Sequence, residues 1–303
     1  MAKHLLKLMD FSEQEITDIL NLADQLKYEK KHGIEHHHLK GKTLGMIFQK
    51  SSTRTRVSFE VGMYDLGGSA LFLSSRDLQI GRGEPVEDTA RVLSGYLDGI
   101  MIRTFEQAEV EALAEYGSIP IINGLTDYCH PCQVLADLMT FREFKGNFKD
   151  KKMCYIGDGN NMANSLIVGG IKMGMEVRVA CPKGYEPDAE IMKWASENGK
   201  FTCTDNILEA AKDADVLYTD VWASMGQEDE KAEREKVFCG YQINDSVMAV
   251  AKSDAMVQHC LPAHREEEIT AAVFEAHAEE IFAEAENRLH AQKAVLVKLL
   301  GNN

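Results

Sequence analysis

The sequence lacks any uninterrupted run of about 18 apolar residues, the length that a membrane-spanning helix needs. Its first residues have neither the apolar segment of a secretory signal nor the Arg- and Ser-rich composition of a transit peptide. Cysteines number only seven, an odd count with irregular spacing, which argues against a secreted disulfide framework. We therefore expect a cytoplasmic protein that has no membrane partner.

Positive charge is also scarce. Lys and Arg together number 33 against 48 acidic residues, and the formal net charge of −15 argues against nucleic acid as a partner. No arginine precedes Arg54, yet six of the eleven arginines lie between Arg54 and Arg103. Some of these are expected on solvated helix faces, but their concentration indicates an anion-binding site in this part of the chain.

Apolar runs alternate with amphipathic patterns along the 303 residues, a length sufficient for two domains with proper cores. This alternation predicts an α/β protein whose parallel sheets are covered by helices on both faces. The predicted strands span residues 43–48, 70–73, 99–102, 119–123, 153–156, 176–180, 216–219 and 256–260. A capping box at Ser12 predicts a first helix that ends near Lys31. Further helices are predicted over residues 86–96, 108–116, 134–144, 163–173 and 188–198.

A polar segment at residues 145–152 interrupts this pattern, and the strand–helix alternation restarts after it. We therefore predict two doubly wound domains, each with a central parallel sheet flanked by helices, over residues 1–146 and 147–285. The histidine run at residues 36–38 is expected to lie in a solvated loop, with adventitious metal binding as the weaker alternative.

The first chemical motif follows the first predicted strand, opens a helix and reads Ser52-Thr53-Arg54-Thr55-Arg56. Such a turn presents free backbone N–H groups, hydroxyls and the positive end of a helix dipole to one point. The planar fork of an arginine added there makes a receptor for a phosphate dianion. The simpler alternative is a Ser/Thr N-cap that is followed by surface arginines.

Two glycine-containing segments match nucleotide-binding motifs only in part. Residues 41–43 look like the end of a P-loop, but the predicted strand follows them instead of preceding them. Residues 157–159 follow a strand, but Met162 occupies the place of the third glycine of a dinucleotide fingerprint. Neither segment predicts nucleotide binding.

His130 and Gln133 stand at the start of the helix that follows the fourth predicted strand. Both side chains can point into the cleft at the carboxyl ends of the strands, donate hydrogen bonds to a carbonyl oxygen and accept from an amide. The same segment contains Cys129 and Cys132. A redox pair is the weaker interpretation because the chain offers no second redox element, and a zinc site is weaker still because no second ligand pair accompanies it.

Cys260 and Asp220 each lie at the end of a predicted strand. A buried structural thiol is the usual state of such a cysteine, and a protease-like couple with His259 is disfavoured because adjacent strand residues face opposite sides. The carboxylate of Asp220 could hold an amine. The glycine-containing segment after it, residues 221–227, could close over a substrate.

Taken together and in this order, residues 52–56, 130–133, 220–226 and 259–262 resemble the ornithine carbamoyltransferase family. Further matching segments span residues 79–84, 87–91 and 284–288, so that the resemblance extends over nearly the whole chain. It implies an N-terminal carbamoyl-phosphate domain, a C-terminal ornithine domain and a last helix, about residues 286–303, that returns to the first domain. It also implies a homotrimer or a multiple of trimers, and a place in arginine metabolism, as amino-acid biosynthesis or as breakdown.

The resemblance assigns roles to individual residues. It implies carbamoyl phosphate binding by Ser52, Thr53, Arg54, Thr55, Gln79, Arg103, His130, Gln133, Cys260, Leu261 and Arg288. It implies ornithine binding by Asn161, Asp220, Ser224 and Met225. The expected catalytic residues are Arg54, His130, Cys260 and Asp220. Gln79 falls on a loop that in some relatives reaches a neighbouring subunit, and Cys132 departs slightly from the residues that relatives often carry.

The implied reaction moves the carbamoyl group from carbamoyl phosphate to the side-chain amine of L-ornithine and yields L-citrulline and phosphate. It needs an oxyanion receptor, which Arg54, Thr55 and His130 can supply. It also needs neutralisation of the phosphate, which Arg54 and Arg103 share with a helix terminus. The amine, whose ordinary pKa is about 10.4, must lose its proton before attack. Asp220 and Cys260 can orient it, and the leaving phosphate can accept the proton. No metal or organic cofactor is required.

Three other functions compete with this interpretation. A sister carbamoyltransferase could use putrescine, aspartate or N-acetylornithine, but residues 224–226 and Cys260 favour ornithine. A non-catalytic binding protein is disfavoured because every expected phosphate and amine ligand is present. An NAD-dependent dehydrogenase is disfavoured because the dinucleotide fingerprint is incomplete.

Overall fold

Two parallel β-sheets organise the chain, one in each of two units. The computed structural model describes residues 3–223 and 228–301. Unit 1 consists of the described residues up to Ala136 and from Asn287 onward, and unit 2 is Asp137–Glu286. Within the described ranges, no helix combines the length and the apolar composition that crossing a bilayer would need.

Strands and helices alternate along the chain. The strands of the described residues are β1 (Thr43–Phe48), β2 (Ser69–Ser74), β3 (Gly99–Arg103), β4 (Ile121–Leu125), β5 (Lys152–Ile156), β6 (Glu176–Ala180), β7 (Phe201–Thr204), β8 (Val216–Thr219) and β9 (Met256–His259). The α-helices are α1 (Glu13–Lys31), α2 (Thr53–Asp65), α3 (Val86–Ser94), α4 (Gln107–Tyr116), α5 (Pro131–Lys145), α6 (Asn161–Lys172), α7 (Ala189–Asn198), α8 (Ile207–Ala211), α9 (Lys231–Val237), α10 (Asp245–Val250), α11 (Ala271–Ala276) and α12 (Ala278–Leu300).

The sheet of unit 1 has the strand order β2-β1-β3-β4, and every neighbouring pair is parallel. β1 and β3 lie in the middle and are almost completely buried, as expected for strands that helices cover on both faces. The predicted capping box starts α1. Ser12 Oγ accepts from the Glu15 N–H at 3.2 Å, and the Glu15 carboxylate accepts from the Ser12 N–H at 2.8 Å.

The sheet of unit 2 has the strand order β7-β6-β5-β8-β9 and is also parallel throughout. β8 is a fully buried interior strand, whereas β7 is a partly exposed edge strand. α6 follows β5 directly and is buried along most of its length, because nearly all of its residues are small or apolar. The two parallel sheets with flanking helices confirm the predicted fold class.

Two strands differ from the sequence pattern for identifiable reasons. β7 is not predicted, because Thr202 and Thr204 alternate with Phe201 and Cys203 and leave no apolar run. β4 begins at Ile121, two residues later than predicted, because Pro120 has no N–H to donate to a sheet.

The expectation of a solvated loop is wrong for His36, although His37 and His38 are exposed. The Nδ1 atom of His36 donates to the Ile34 carbonyl at 2.8 Å, and its Nε2 atom accepts from Lys293 Nζ at 2.7 Å. Burial lowers the pKa of the Lys293 ammonium. The local sequence could not predict the burial of His36, because it does not show that Lys293 of the distant α12 reaches this loop.

Candidate active site

The carboxyl ends of parallel strands meet at the same edge of a sheet. In unit 1, β1 leads into Ser52, β3 ends at Arg103, and β4 leads into His130. The structure therefore brings the predicted phosphate and carbonyl ligands of three separate segments to one edge of the unit 1 sheet.

Ser52 is the N-cap of α2. Its Oγ atom accepts from the Thr55 N–H at 3.1 Å, which fixes the first turn of the helix. Thr53 and Arg54 occupy that turn with exposed and half-buried side chains, and Thr55 is fully buried. The first N–H groups of a helix have no partners within the helix and carry its positive dipole end. This turn can therefore receive an anion, as the motif predicts.

Arg288 joins three helices at this edge. The buried guanidinium donates to Thr55 Oγ1 at 3.0 Å and to Gln133 Oε1 at 2.5 Å. Thr55 lies on α2, Gln133 on α5 and Arg288 on α12, so that one planar donor fixes side chains from distant parts of the sequence. The predicted residues Thr55, Gln133 and Arg288 thus form one hydrogen-bonded group.

His130 is buried, with 5% of its surface exposed, immediately before α5. Burial holds its pKa well below the usual value of 6.5, and the nearby positive charges of Arg288, Arg103 and Arg54 lower it further. The imidazole is therefore neutral near pH 7. A neutral imidazole can donate one hydrogen bond to a carbonyl oxygen without adding to the positive charge of the three arginines.

The Cys129 and Cys132 thiols do not form a redox pair. Cys132 Sγ donates to the Asn123 carbonyl at 3.3 Å, whereas Cys129 Sγ lies 3.6 Å from the Leu6 carbonyl. Burial raises the pKa of each thiol to about 12, so neither is a nucleophilic thiolate at neutral pH. Both cysteines are structural.

Gln79 differs from these buried residues because its side chain is exposed. It is exposed on a short 3-10 helix, Gln79–Arg82, that follows the edge strand β2. Among the described residues, its side chain takes part in no hydrogen bond.

In unit 2, Asp220 follows β8 and Cys260 follows the neighbouring strand β9. Cys260 Sγ donates to Asp220 Oδ1 at 3.1 Å. Burial, together with the negative charge of Asp220, raises the pKa of the Cys260 thiol well above its usual value of 9.0. Cys260 is therefore a protonated donor and not a thiolate nucleophile, and Asp220 is the acceptor that it orients.

Asn160 is a second partner of Asp220. Its Nδ2 donates to Asp220 Oδ2 at 3.0 Å, while its Oδ1 accepts from the N–H groups of Met162 at 2.9 Å and Ala163 at 3.2 Å. Asn161, which the family resemblance indicates, is the first residue of α6, whereas Asn160 is not among the predicted residues. The available signal was that an asparagine between a strand and a helix is a preferred N-cap.

His259 fixes the segment that carries Cys260 and Leu261. Its Nδ1 accepts from the Leu261 N–H at 2.9 Å, so the ring proton is on Nε2, which donates to Glu268 Oε1 at 2.9 Å. Leu261 has a left-handed backbone with φ of +57°, which this N–H contact holds in place. As the alternation of strand side chains predicts, His259 is directed to Glu268 and Leu261 and not to the Cys260 thiol.

A buried carboxyl supports the same strand ends. Glu284 accepts from the His259 N–H at 3.0 Å and from the Tyr218 hydroxyl at 3.1 Å. Burial raises the pKa of Glu284 well above its usual value of 4.5, and the neighbouring Asp137 raises it further. This supporting residue was not selected individually from sequence, because only the fold places it beneath β8 and β9.

Arg234 and Asp158 form a buried ion pair that the motifs did not indicate. The Nη1 and Nη2 atoms of Arg234 donate to Asp158 Oδ2 at 3.1 and 3.0 Å. Burial raises the pKa of Asp158 to about 6, although Arg234 acts in the opposite direction. The pair anchors α9, which follows the segment after Asp220, to the turn that precedes α6.

Ser224 and Met225, the remaining predicted ornithine ligands, lie outside the described residues.

One group of side chains in the described part of unit 2 has the composition of a metal site, namely His264, Glu267 and Glu268. Its potential ligand atoms lie within 4.8 Å of one another. Glu268 Oε1, however, already accepts from the His264 N–H at 2.6 Å and from His259 at 2.9 Å. These contacts identify Glu268 as an anchor for the segment after Cys260.

Comparison with known proteins gives two matching family models. The carbamoyl-P binding domain of aspartate/ornithine carbamoyltransferase matches residues 3–143, and the Asp/Orn binding domain of the same family matches residues 149–299. The two matches together account for most of the chain.

Individual members of this family match the chain over nearly their whole lengths. The ornithine carbamoyltransferase of Syntrophotalea carbinolica is 58% identical, with 99% of this chain and 100% of the relative covered. That of Oceanobacillus iheyensis is 55% identical, with 99% and 95% covered. The structure of ornithine carbamoyltransferase from Pyrococcus furiosus superposes with a TM-score of 0.95 at 52% identity, covering 100% of this chain and 98% of that one. The anabolic ornithine carbamoyltransferase from Campylobacter jejuni gives a TM-score of 0.92 at 44% identity, with 98% of each chain covered.

Proposed function

Because the chain belongs to the aspartate/ornithine carbamoyltransferase family, we propose that the two clusters described above bind its two substrates. The enzyme transfers the carbamoyl group from carbamoyl phosphate to the side-chain amine of L-ornithine, with L-citrulline and phosphate as products. The relatives named above are ornithine carbamoyltransferases, which favours ornithine over putrescine as the acceptor.

We assign carbamoyl phosphate to unit 1 and ornithine to unit 2. The positions of the two matched domains, residues 3–143 and 149–299, support this division. The predicted domain limits, residues 1–146 and 147–285 with the last helix belonging to the first domain, remain part of the proposal.

The phosphate group is assigned to the first turn of α2 and to Arg103. Ser52, Thr53 and Arg54 surround the helix terminus, and Arg103 ends the neighbouring strand β3. Arginine forks and helix N-terminal N–H groups are the donors that recognise phosphate in proteins. We also assign Gln79 to this substrate, in line with its place on the segment after β2.

The carbamoyl group is assigned to His130, Gln133 and Arg54, together with Thr55 and Arg288. The neutral imidazole of His130 and the guanidinium of Arg54 can donate to the carbamoyl oxygen as negative charge develops on it. Arg288 supports the site because its hydrogen bonds hold Thr55 and Gln133 in place. We also assign Cys260 and Leu261 to carbamoyl phosphate, as the family resemblance implies.

Ornithine is assigned to Asn161, Asp220, Ser224 and Met225. The single observation that carries the acceptor assignment is the hydrogen-bonded group of Asp220, Cys260 and Asn160. It offers a buried carboxylate, which an ammonium group can pair with, beside a thiol that stays protonated. Such a group suits an amino acid better than a neutral acceptor.

The transfer step requires the ornithine side-chain amine in its neutral form, although its ordinary pKa is about 10.4. The amine nitrogen attacks the carbamoyl carbon, and the bond from that carbon to the phosphate oxygen breaks. The departing phosphate accepts the proton that the amine loses. Holding both substrates in one ternary complex can contribute up to roughly 7–11 kcal/mol to the rate enhancement.

We further propose a homotrimer, or a multiple of trimers. In its support, unit 1 has apolar side chains exposed along the edge strand β2 and the neighbouring α2. Leu71 is 47% exposed, Phe72 39%, Val57 50% and Tyr64 80%. Burying a face of this kind in a subunit interface removes apolar area from water. Sedimentation would test the proposal, and a fully active monomer at high dilution would contradict it.

The enzyme is proposed to act in the cytoplasm and in arginine metabolism. All seven cysteines are free thiols, which is typical of a reducing compartment. The chemistry proposed here uses no metal or organic cofactor.

The deciding experiment measures citrulline formation by the purified enzyme from carbamoyl phosphate and ornithine. Parallel reactions contain putrescine, aspartate or N-acetylornithine in place of ornithine. We expect product from ornithine at a kcat/KM far above that of the other three acceptors. Equal or better turnover of any other acceptor would overturn the ornithine assignment.

A further inference from the structure

Cys181 and Cys203 lie next to each other in unit 2, outside the residues assigned to either substrate. Their Sγ atoms are 3.6 Å apart. Cys203 belongs to β7, and Cys181 follows the last residue of the neighbouring strand β6. The Cys181 N–H donates to the Thr204 carbonyl at 3.1 Å, so the backbone itself holds the two thiols side by side.

The position of the pair in the sheet allows the two sulfur atoms to approach further. A disulfide needs the sulfur atoms at about 2.05 Å. β7 is the edge strand of its sheet and pairs on one side only, with β6. A local adjustment of β7 that lets the Cys203 side chain rotate toward Cys181 therefore disturbs no second strand pairing, unlike an adjustment of a central strand such as β5.

The two thiols differ in a way that suits stepwise oxidation. Cys181 is 2% exposed, whereas Cys203 is half-buried and can meet a small solute. The hydrogen bond between them raises the pKa of Cys181, and burial adds to this effect. The same hydrogen bond lowers the pKa of Cys203. The accessible member is thus the one that more readily becomes a thiolate, which is the reactive form of cysteine.

We propose that Cys181 and Cys203 form a peroxide-responsive dithiol site that closes to an intramolecular disulfide. The other described thiols are less suited to this reaction. Cys239 is exposed but has no thiol partner within hydrogen-bonding distance in the described chain. The half-buried thiol of Cys260 donates to Asp220, and the pKa of this thiol is raised, so that it stays protonated.

The chemistry is balanced with hydrogen peroxide as the oxidant. The Cys203 thiolate attacks one peroxide oxygen, the O–O bond breaks, and hydroxide leaves and takes up the proton that Cys203 had lost. The sulfur atom of Cys181 then attacks that of Cys203, the S–O bond breaks, and the oxygen leaves as water with the Cys181 proton. Two thiols are oxidised to one disulfide, and one peroxide is reduced to two waters. A dithiol reductant reverses the change by exchange.

The test uses the reduced, full-length enzyme and a small molar excess of hydrogen peroxide. The protein is then alkylated in denaturant, digested without reduction and analysed by mass spectrometry. We expect a cross-linked peptide that contains Cys181 and Cys203 and disappears on reduction with dithiothreitol. Persistence of both cysteines as alkylatable thiols, while Cys239 or Cys260 is oxidised, would overturn the proposal.

Variants separate the roles of the two thiols. Cys239→Ser is the matched control, and it should form the cross-link as the wild type does. Cys181→Ser should leave Cys203 as a sulfenic acid that dimedone traps, because the second thiol is missing. Absence of a dimedone adduct on Cys203 in a folded Cys181→Ser protein would contradict the assignment of Cys203 as the attacking thiol. The wild-type cross-link itself tests the pair even where a variant fails to fold.

Discussion

The thiol of Cys260 donates to the carboxylate of Asp220 across 3.1 Å, although the two residues are 40 positions apart in the sequence. The strands that precede them, β8 and β9, are parallel neighbours, so their carboxyl ends lie side by side. Asn160 Nδ2 donates to the other carboxylate oxygen at 3.0 Å. One buried carboxylate is thus held by two donors and presented in a defined orientation, which is what selective recognition of an ammonium group needs.

Asp220→Asn tests this carboxylate. The variant keeps the size of the side chain but removes its charge, so we expect kcat/KM for ornithine to fall by roughly 10- to 150-fold, equivalent to about 1.5–3 kcal/mol for a charge-assisted hydrogen bond. The dissociation constant of carbamoyl phosphate should stay within about twofold. Steady-state kinetics and calorimetry measure the two quantities. Asp254→Asn, at an exposed aspartate of the same unit, is the control. Unchanged ornithine kinetics in Asp220→Asn would refute the assignment.

Arg54→Ala tests the phosphate and carbonyl receptor. If Arg54 serves both groups in the transition state, kcat should fall by roughly 10²–10³, the usual effect of removing one oxyanion donor. Arg56 is the matched control, because it lies two residues further along α2, is largely exposed and pairs with Glu60 at 3.1 Å. Arg56→Ala should therefore keep near-normal turnover. A normal kcat for Arg54→Ala at saturating substrate would show that the role is misassigned.

The protonation state of His130 can be measured directly. Its pKa lies well below 6.5, chiefly because the ring is buried, so the imidazole should be neutral near pH 7. NMR of the enzyme labelled in its histidine rings measures this state, with His130→Gln to identify the signal. The folded state binds this proton less readily than the unfolded state. The stability that His130 contributes is therefore present above pH 6.5 and is lost as the pH falls below it. A His130 signal that titrates at or above pH 6.5 would contradict the neutral assignment.

The proposed ornithine pocket should discriminate strongly between amine acceptors. Putrescine lacks the α-carboxylate of ornithine and would leave the polar groups that face it unpaired. We expect its kcat/KM to be lower than that of ornithine by roughly 10⁴–10⁵. Lysine, which is one methylene longer, should bind but misplace its amine. Competition assays with all three amines measure these ratios, and comparable rates for putrescine and ornithine would eliminate the proposed pocket.

Oxidation of Cys181 and Cys203 should affect ornithine more than carbamoyl phosphate. The backbone carbonyl of Asp205, two residues after Cys203, accepts from the Tyr241 hydroxyl at 3.1 Å, and the Tyr241 carbonyl accepts from Trp222 Nε1 at 3.1 Å. Trp222 lies two residues after Asp220.

Closing the disulfide should weaken these hydrogen bonds between Asp205, Tyr241 and Trp222. KM for ornithine should then rise by roughly two- to twelvefold, the effect of losing one hydrogen bond of about 0.5–1.5 kcal/mol. Tyr241→Phe, which lacks the hydroxyl, should remove the difference between oxidised and reduced enzyme. An unchanged KM in the cross-linked wild type would refute this coupling while leaving the disulfide itself established.

The sequence by itself determined the α/β class, most strand positions and the order of the chemical motifs. These features depend on the hydrophobic periodicity, capping residues and reactive side chains of short segments. The capping box at Ser12 is complete within four residues, and the turn at Ser52 is defined by its own helix start. Residues such as Arg54, His130 and Asp220 were likewise selected because their chemistry is visible in short segments.

Only the tertiary structure decided which of these groups touch. Arg288 reaches Gln133 across 155 positions and Thr55 across 233, and Lys293 reaches His36 across 257. The contact of Asn160 with Asp220 and the pairing of Cys181 with Cys203 were not predicted, for the same reason. Whether two distant side chains meet depends on strand order, register and the return of the last helix. Those are properties of the whole packed chain, which the periodicity of a single segment does not encode.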